Sequence, residues 1–193
     1  MNLQVFLMGR SENHWLIQSR ITYPSERMSV KMVKIKHIVR YFVKNYPYEN
    51  ELSKTRITKM VYLADWYSAL KHGHQLTDIK WFFDHYGPYV SDVFNAVAED
   101  RHLTIKHDYN AFGNPKDVVA LKKSHHVFDS PPIRIDNHYK VVLDEVIEDT
   151  QQLNWNEFID YVYSSYPIKS SIRYHYLDLV NLGRECKDKG LNF

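Results

Sequence analysis

The chain contains few of the residues that mark several common protein classes. Among its 193 residues are one cysteine, six glycines and seven prolines. Cys186 has no partner for an internal disulfide, and secreted domains of this size usually carry an even set of cysteines, so we expect a reducing compartment. Sparse glycine and proline exclude a collagen-like or linker-dominated chain and disfavour an architecture of many short strands. We therefore expect helices to dominate.

Long apolar runs are also lacking. No run approaches the roughly 20 residues that a membrane-spanning helix needs. The early apolar run at residues 5–8 is too short for the core of a signal peptide. These features predict a cytoplasmic protein without a membrane segment. The length fits one domain, which we place at residues 28–193, with residues 1–27 as an N-terminal extension because they show no sustained period.

The sequence lacks the motifs that usually carry catalysis. Its glycines are isolated from one another, so neither a P-loop nor a dinucleotide-binding fingerprint is present. Cys186 has no partnered base nearby in sequence, which favours an inert thiol. There are eleven histidines, and His72 and His74 lie close together, but the zinc motif His-Glu-x-x-His does not occur. We expect no enzymatic activity, no bound metal and no cofactor.

Charge is distributed unevenly along the chain. Residues 27–60 carry nine Lys or Arg against two Glu, whereas residues 61–193 carry 14 basic and 19 acidic side chains. The asymmetry suits an acidic partner, although a solvated helix face is the simpler interpretation. We assign seven residues to a basic surface that would steer such a partner: Lys31, Lys34, Arg40, Lys44, Lys54, Arg56 and Lys59.

Apolar spacing predicts the first two helices. From Ser29 to Phe42 apolar residues recur every three or four positions, and Pro47 ends this helix. Ser53 can cap a second helix with one buried stripe, and Gly73 can end it in the left-handed conformation.

The middle of the chain combines strand and turn signals. The aromatic residues 81–83 favour a short strand, and the Tyr-Gly-Pro-Tyr run at residues 86–89 favours a turn. A third helix should follow, with an apolar side that runs from Val90 to Val97. Alternation within residues 103–109 and 119–121, with turn residues between them, predicts a β-hairpin.

The last third of the chain reads as helical again. Residues 139–147 have a helical period, and a further helix is expected around residues 177–182. Between them, Asn154 and Glu157 form a capping box for a helix that Pro167 ends. The predicted fold class is mainly α (α+β), a compact helical domain with a small antiparallel sheet or hairpin, loosely winged-helix-like.

That order of elements makes a nucleic-acid-binding regulator the alternative function. The third helix, however, carries Asp92, Glu99 and Asp100, whose charges repel phosphates. Contacts to nucleic acid would therefore fall to the basic segment 27–60 and would depend strongly on salt. Nucleic acid is thus a possible partner but not the favoured one.

Aromatic residues make up 15% of the chain, with fifteen Tyr, four Trp and nine Phe. Tyr and Trp supply a large contact area together with a polar group, which is why they anchor protein interfaces. Several of them crowd around the second helix and the turn that follows. We assign this group to a protein-interaction surface: Tyr62, Trp66, Trp81, Tyr86, Gly87, Pro88 and Tyr89.

Four motifs together resemble the Panacea domain of SocA-like antitoxins. They are Lys-Met-Val-Tyr-Leu-Ala at residues 59–64, Gly73, Leu-Thr-Asp at residues 76–78, and Tyr-Gly-Pro-Tyr-Val at residues 86–90. The similarity extends from about Val33 through the Tyr-Leu-Asp-Leu run at residues 176–179. The order of the motifs matches the order of the elements predicted from periodicity.

The resemblance implies an antitoxin that neutralises a cognate protein toxin by direct contact. Such pairs are encoded by neighbouring genes, often in mobile elements and phage-defence loci, and delivery of the toxin to a cytosolic protease is a further route that the family implies. The family offers no catalytic residues to carry over. The aromatic group then becomes a toxin-interaction surface, and the basic residues would steer an acidic toxin towards it.

Overall fold

A computed structural model of the chain describes residues 32–110, 113–122 and 132–191. Within these ranges the chain forms seven α-helices, one short 3-10 turn and two antiparallel pairs of strands. The elements are, in chain order, α1 (Ile35–Asn45), the 3-10 turn (Glu49–Glu51), α2 (Lys54–His72), β1 (Phe82–Asp84), β2 (Gly87–Tyr89), α3 (Asp92–Ala98), β3 (Leu103–Tyr109), β4 (Pro115–Leu121), α4 (Asn137–Thr150), α5 (Trp155–Ser164), α6 (Tyr166–Ser170) and α7 (Leu179–Asp188).

The second helix, α2, is the centre of the fold. Its predicted ends are confirmed: the Ser53 hydroxyl accepts a hydrogen bond from the Arg56 amide, and Gly73 is left-handed with φ +74°. Every residue from 56 to 69 is buried, because α1, α3, α4 and α7 pack around this helix. The predicted stripe is therefore buried, and the other sides of α2, for which no burial was predicted, are covered as well.

The first helix begins later than predicted. α1 starts at Ile35 rather than Ser29, and residues 32–34 are not helical. The reason is a backbone hydrogen bond of 2.7 Å from the Val33 amide to the Leu76 carbonyl, which ties this stretch to the chain after α2. The predicted start itself, and the extension 1–27, lie outside the described residues.

The predicted β-hairpin is confirmed. β3 and β4 pair from Leu103 opposite Leu121 to Tyr109 opposite Pro115. The second strand begins several residues before its predicted start. A hydrogen bond of 2.9 Å from the Val119 amide to the Leu52 carbonyl joins this hairpin to the chain just before α2.

The capping box at the start of α5 is also confirmed. The Asn154 side chain accepts a hydrogen bond from the Glu157 amide, and the Glu157 carboxylate accepts one from the Asn154 amide. Trp155, the first residue of this helix, is 46% exposed. The helix ends at Ser164, and Pro167 lies in the first turn of α6, a short helix that periodicity did not reveal.

The fold class is confirmed as mainly α with small antiparallel sheets. α4 contributes the buried face predicted for residues 139–147, and α7 occupies the region expected for the last helix. In the part of the chain that the structure describes, no helix combines the length and apolarity needed to cross a membrane.

Candidate protein-interaction site

The run predicted as a Gly-Pro turn forms most of a short β-hairpin. Phe82 pairs with Tyr89 and Asp84 pairs with Gly87, which leaves His85 and Tyr86 as the turn. Gly87 therefore begins a strand, and the sequence placed the turn too late in the chain. A two-residue connection holds the antiparallel strands in a fixed register.

Gly87 occupies a position that no other residue fits without strain. Its φ is +89°, and a Cβ atom there would lie 3.0 Å from Cε2 of the Tyr163 ring. L-residues with a side chain rarely adopt this φ. The contact brings the hairpin backbone directly against α5, so the glycine sets how closely the hairpin sits on the helical core.

A buried lysine of α2 holds the tip of the hairpin. Lys59 is 3% exposed, and its Nζ donates a hydrogen bond of 2.8 Å to the Tyr86 carbonyl. Burial lowers the pKa of Lys59 to about 8, against an opposing effect of the Asp84 carboxylate. The bond fixes the Tyr86 backbone against α2 and leaves its side chain 76% exposed.

Residues 174–177 extend the hairpin on its other side. The Tyr174 amide donates to the Phe83 carbonyl at 2.6 Å, the Phe83 amide to the His175 carbonyl at 2.9 Å, and the Leu177 amide to the Trp81 carbonyl at 2.8 Å. Phe82 and Tyr176 form an antiparallel bridge. The segment before α7 therefore flanks β1 as β2 does on the opposite edge.

This pairing places three aromatic side chains in one row. Phe82 lies opposite Tyr89 on one side and Tyr176 on the other, and the Phe82 and Tyr176 rings meet edge to face with centroids 5.3 Å apart. Directly opposed residues in a sheet point to the same face. Tyr89 is 44% exposed and Tyr176 is 72% exposed, so the row faces solvent.

Further exposed side chains adjoin the row. His85 contacts both the Tyr86 ring, at a centroid distance of 4.7 Å, and the Tyr174 hydroxyl, at 3.4 Å from its Nδ1. We call these five residues the aromatic patch: Phe82, Tyr86, Tyr89, Tyr174 and Tyr176.

Tyr174 carries the most unusual backbone of the patch. Its φ is +66°, and no other non-glycine residue in the described ranges has a positive φ. Such a conformation costs about 1 to 3 kcal/mol and persists where surrounding contacts hold it. Here the backbone bond to Phe83 supplies that hold and keeps the 59% exposed ring on the patch.

Three aromatic residues assigned to the surface lie in the core instead. Tyr62, Trp66 and Trp81 are all fully buried. The two α2 residues are buried because helices surround α2 where a single covered face was expected, and Trp81 packs against Tyr62 with ring centroids 5.4 Å apart. The Tyr62 hydroxyl bonds Ser165 Oγ at 3.0 Å, and the Trp66 ring stacks on Tyr166. Gly87 and Pro88 are buried as well. Of the predicted group, Tyr86 and Tyr89 reach solvent.

The predicted basic surface is also reduced. Arg40, Arg56 and Lys59 are buried: Arg40 pairs with Asp100 at 2.5 Å, and Arg56 donates to the Tyr46 hydroxyl and the Leu153 carbonyl. These cations are used inside the fold, which removes three expected contacts for an acidic toxin or for nucleic acid. Lys34 and Lys44 are exposed, Lys54 is half-buried, and Lys31 lies outside the described residues.

Sequence reasoning missed Asp65, which joins α2 to the start of β1. The fully buried Asp65 carboxylate accepts hydrogen bonds from the Thr77 amide at 2.8 Å, the Thr77 hydroxyl at 2.5 Å and Trp81 Nε1 at 2.8 Å. Burial raises the pKa of Asp65 to about 6, although these bonds oppose the rise. The available signal was an acid between Ala64 and Trp66 in a helix otherwise free of acids.

The histidines and the cysteine that we considered for metal binding or thiol chemistry are packed against other parts of the fold. His72 and His74 pack around Tyr139, and the His74 Nε2 lies 2.9 Å from the Tyr139 hydroxyl. Among the described residues, no three His, Cys, Asp or Glu are grouped to hold a metal ion. Cys186 is fully buried, and burial raises the pKa of its thiol.

The fold and the patch together define a small helical domain that presents an aromatic sheet face to solvent. Residues 57–167 match the family described as antitoxin SocA-like, Panacea domain. The match covers more than half of the chain, so this protein belongs to that family. The matched region contains Lys59, Asp65 and the β1–β2 hairpin, and it ends before residues 174–177, which flank β1. No curated protein and no solved structure matches the chain.

Proposed function

We propose that this protein is an antitoxin that neutralises a cognate protein toxin by binding it directly through the aromatic patch. Family membership supports the general role. The observation that carries the assignment of the surface is the row of exposed Tyr89, half-buried Phe82 and exposed Tyr176 on one face of the sheet.

The energetics of such a patch favour a protein partner. Burying apolar surface contributes about 25 cal/mol per Å², and Tyr side chains lose little conformational entropy on binding. A stable complex commonly buries about 1,600 Å² in total, with a few central aromatic residues supplying most of the affinity. The patch provides those central residues. Backbone pairing with β1 holds Tyr89, Tyr174 and Tyr176 in place before the toxin binds.

Co-expression with the product of the neighbouring gene tests the proposal. We expect the wild-type chain to relieve toxicity and to co-purify with that product. The double variant Tyr86→Ala/Tyr176→Ala should weaken binding at least tenfold, about 1.4 kcal/mol, and lose the relief. Tyr109→Ala is the matched control, because Tyr109 is 69% exposed at the far end of β3 and outside the patch.

Two results would contradict the proposal at different levels. If the wild-type chain neither binds the neighbouring product nor relieves its toxicity, the antitoxin function is wrong for that pair. If the double variant binds as tightly as the Tyr109→Ala control, the function stands but the patch is not its interface.

The fate of the toxin separates two modes of neutralisation. We propose masking, in which the patch covers a toxin surface and leaves the toxin intact. The level of toxin after synthesis is stopped should then be equal with and without the antitoxin. Faster loss of the toxin when the antitoxin is present, abolished in a protease-deficient host, would favour delivery to a cytosolic protease instead.

A further inference from the structure

A cleft that shares no residue with the aromatic patch lies at the start of α1. It has a volume of about 740 Å³ and is formed by residues 32–40, by residues 101–102 after α3 and by residues 132–136 before α4. Asp136 is the one acidic residue among the described residues that line it. Besides Arg40, whose charge is balanced by Asp100, four basic residues line what we call the basic cleft: Lys34, Lys36, Arg101 and Arg134.

Arg40 fixes the three walls of the basic cleft relative to one another. Its NH2 group pairs with Asp100 at 2.5 Å, and its NH1 group donates to the Pro132 carbonyl at 2.9 Å. His37 Nδ1 lies 3.1 Å from the same carbonyl and must carry the proton there, since a carbonyl oxygen only accepts. The cleft is therefore a built feature rather than a chance meeting of flexible side chains.

The electrostatic environment of the basic cleft is positive. Burial lowers the pKa of His37, and the charges of Arg40, Lys36 and Arg134 lower it further. Cations gathered in a concave, partly desolvated site concentrate their field and attract anions.

Apolar side chains lie among these cations. Val33 and Ile135 are both 8% exposed, and Met32 is 44% exposed, while Ile133 is half-buried. A phosphodiester backbone offers charge but little apolar surface to cover Met32 and Ile133. A peptide segment that carries Asp or Glu next to apolar side chains complements both kinds of lining residue.

We propose that the basic cleft binds an acidic, partly apolar segment of the toxin as a second contact beside the aromatic patch. This inference rests on the proposed function, because it assigns the segment to the toxin. The cleft raises the rate of encounter through its charge, whereas the patch limits dissociation through buried aromatic area.

The kinetics of binding to the product of the neighbouring gene test the inference. The variant Lys34→Glu/Arg134→Glu reverses two exposed charges of the cleft. Lys34 precedes the first turn of α1, where an acidic residue is favoured by the helix dipole, so the variant should fold. We expect the association rate at 50 mM salt to fall at least tenfold and its salt dependence to flatten, with dissociation nearly unchanged.

The matched control is Lys106→Glu/Lys187→Glu, which makes the same change in net charge at two exposed residues outside the cleft. Equal association rates for the two double variants would overturn the inference while leaving the proposed function intact. Absence of wild-type binding would instead count against the function itself. A DNA duplex of 20 base pairs that binds the wild type but not the cleft variant, with toxin binding equal in both, would assign the cleft to nucleic acid and overturn the inference as well.

Discussion

The indole nitrogen of Trp81 donates a hydrogen bond of 2.8 Å to the carboxylate of Asp65 in the interior of the fold. Trp81 immediately precedes β1, and its carbonyl accepts the bond from Leu177 that brings in the flanking segment. The contact therefore joins the central helix to both parts of the chain that form the aromatic patch. Lys59 makes a second such connection, at the tip of the hairpin.

Replacing Asp65 should destabilise the domain. Asp65→Ala removes the acceptor for the Thr77 amide and for Trp81 Nε1, and a buried donor left without a partner costs about 1 to 3 kcal/mol. We expect the free energy of unfolding at pH 7 to fall by about 2 kcal/mol, measured by urea denaturation. The double variant Asp65→Ala/Trp81→Phe provides the control, because without the indole nitrogen fewer donors are stranded. Fully additive effects of the two substitutions would contradict the coupling.

The same carboxyl group makes part of the stability depend on pH. The pKa of Asp65 is about 6 in the folded protein against an ordinary value of 3.8, so between these values the folded state binds more protons than the unfolded state. The contribution of Asp65 to the free energy of unfolding should therefore rise as pH falls from 7 to 4, by on the order of 1 kcal/mol per pKa unit.

Comparison with Asp65→Ala isolates this contribution. Burial lowers the pKa of His37 and His72, and these groups act in the opposite direction, since the unfolded state takes up their protons first as pH falls below about 6.5. Both histidines are present in the wild type and in the variant, so their effect cancels in the difference. If the difference in the free energy of unfolding between the wild type and Asp65→Ala shrinks towards pH 4, the raised pKa of Asp65 is contradicted.

The sequence predicted the helices and strands of this fold better than it predicted what packs around them. Ser53, Gly73 and the Asn154 capping box act through neighbouring residues, and each is found as predicted. The burial of Tyr62 and Trp66 depends on helices distant in sequence that cover the second side of α2. A period in one segment carries no information about how many neighbours will pack on it.

In the candidate site, too, residues with a local sequence signal were predicted and residues placed by long-range pairing were not. Tyr86 and Tyr89 were recognisable because an aromatic cluster adjoins a Gly-Pro dipeptide. Tyr174 and Tyr176 were not assigned, because their place beside β1 results from backbone pairing across about ninety residues of chain. Such long-range pairing between short strands leaves no local pattern.

Gly87→Ala should be costly for two separable reasons. The new Cβ would meet the Tyr163 ring at 3.0 Å, and the φ of +89° is strained for alanine. Gly113→Ala is the control, because Gly113 has φ +79° and no atom of the described residues lies within 4 Å of the added atom. We expect about 1 kcal/mol for the control, from φ strain alone, and about 1 to 2 kcal/mol more for Gly87→Ala, both from denaturant midpoints. Equal losses would show that Tyr163 yields freely.

Lys59→Met should loosen the hairpin without unfolding the domain. Methionine fills a similar volume, so the packing around α2 is retained, and the removed ammonium was itself disfavoured by burial, as its lowered pKa shows. What is lost is the donor to the Tyr86 carbonyl. Amide hydrogen exchange at residues 84–87 should therefore become at least about tenfold faster, while exchange within α2 stays near its original rate, because local opening is governed by local contacts.

Lys80→Met changes the same kind of side chain at an exposed position and should leave the hairpin unaffected. Equal exchange at residues 84–87 in the two variants would mean that the strand pairing alone holds the turn, and that Lys59 does not position the aromatic patch.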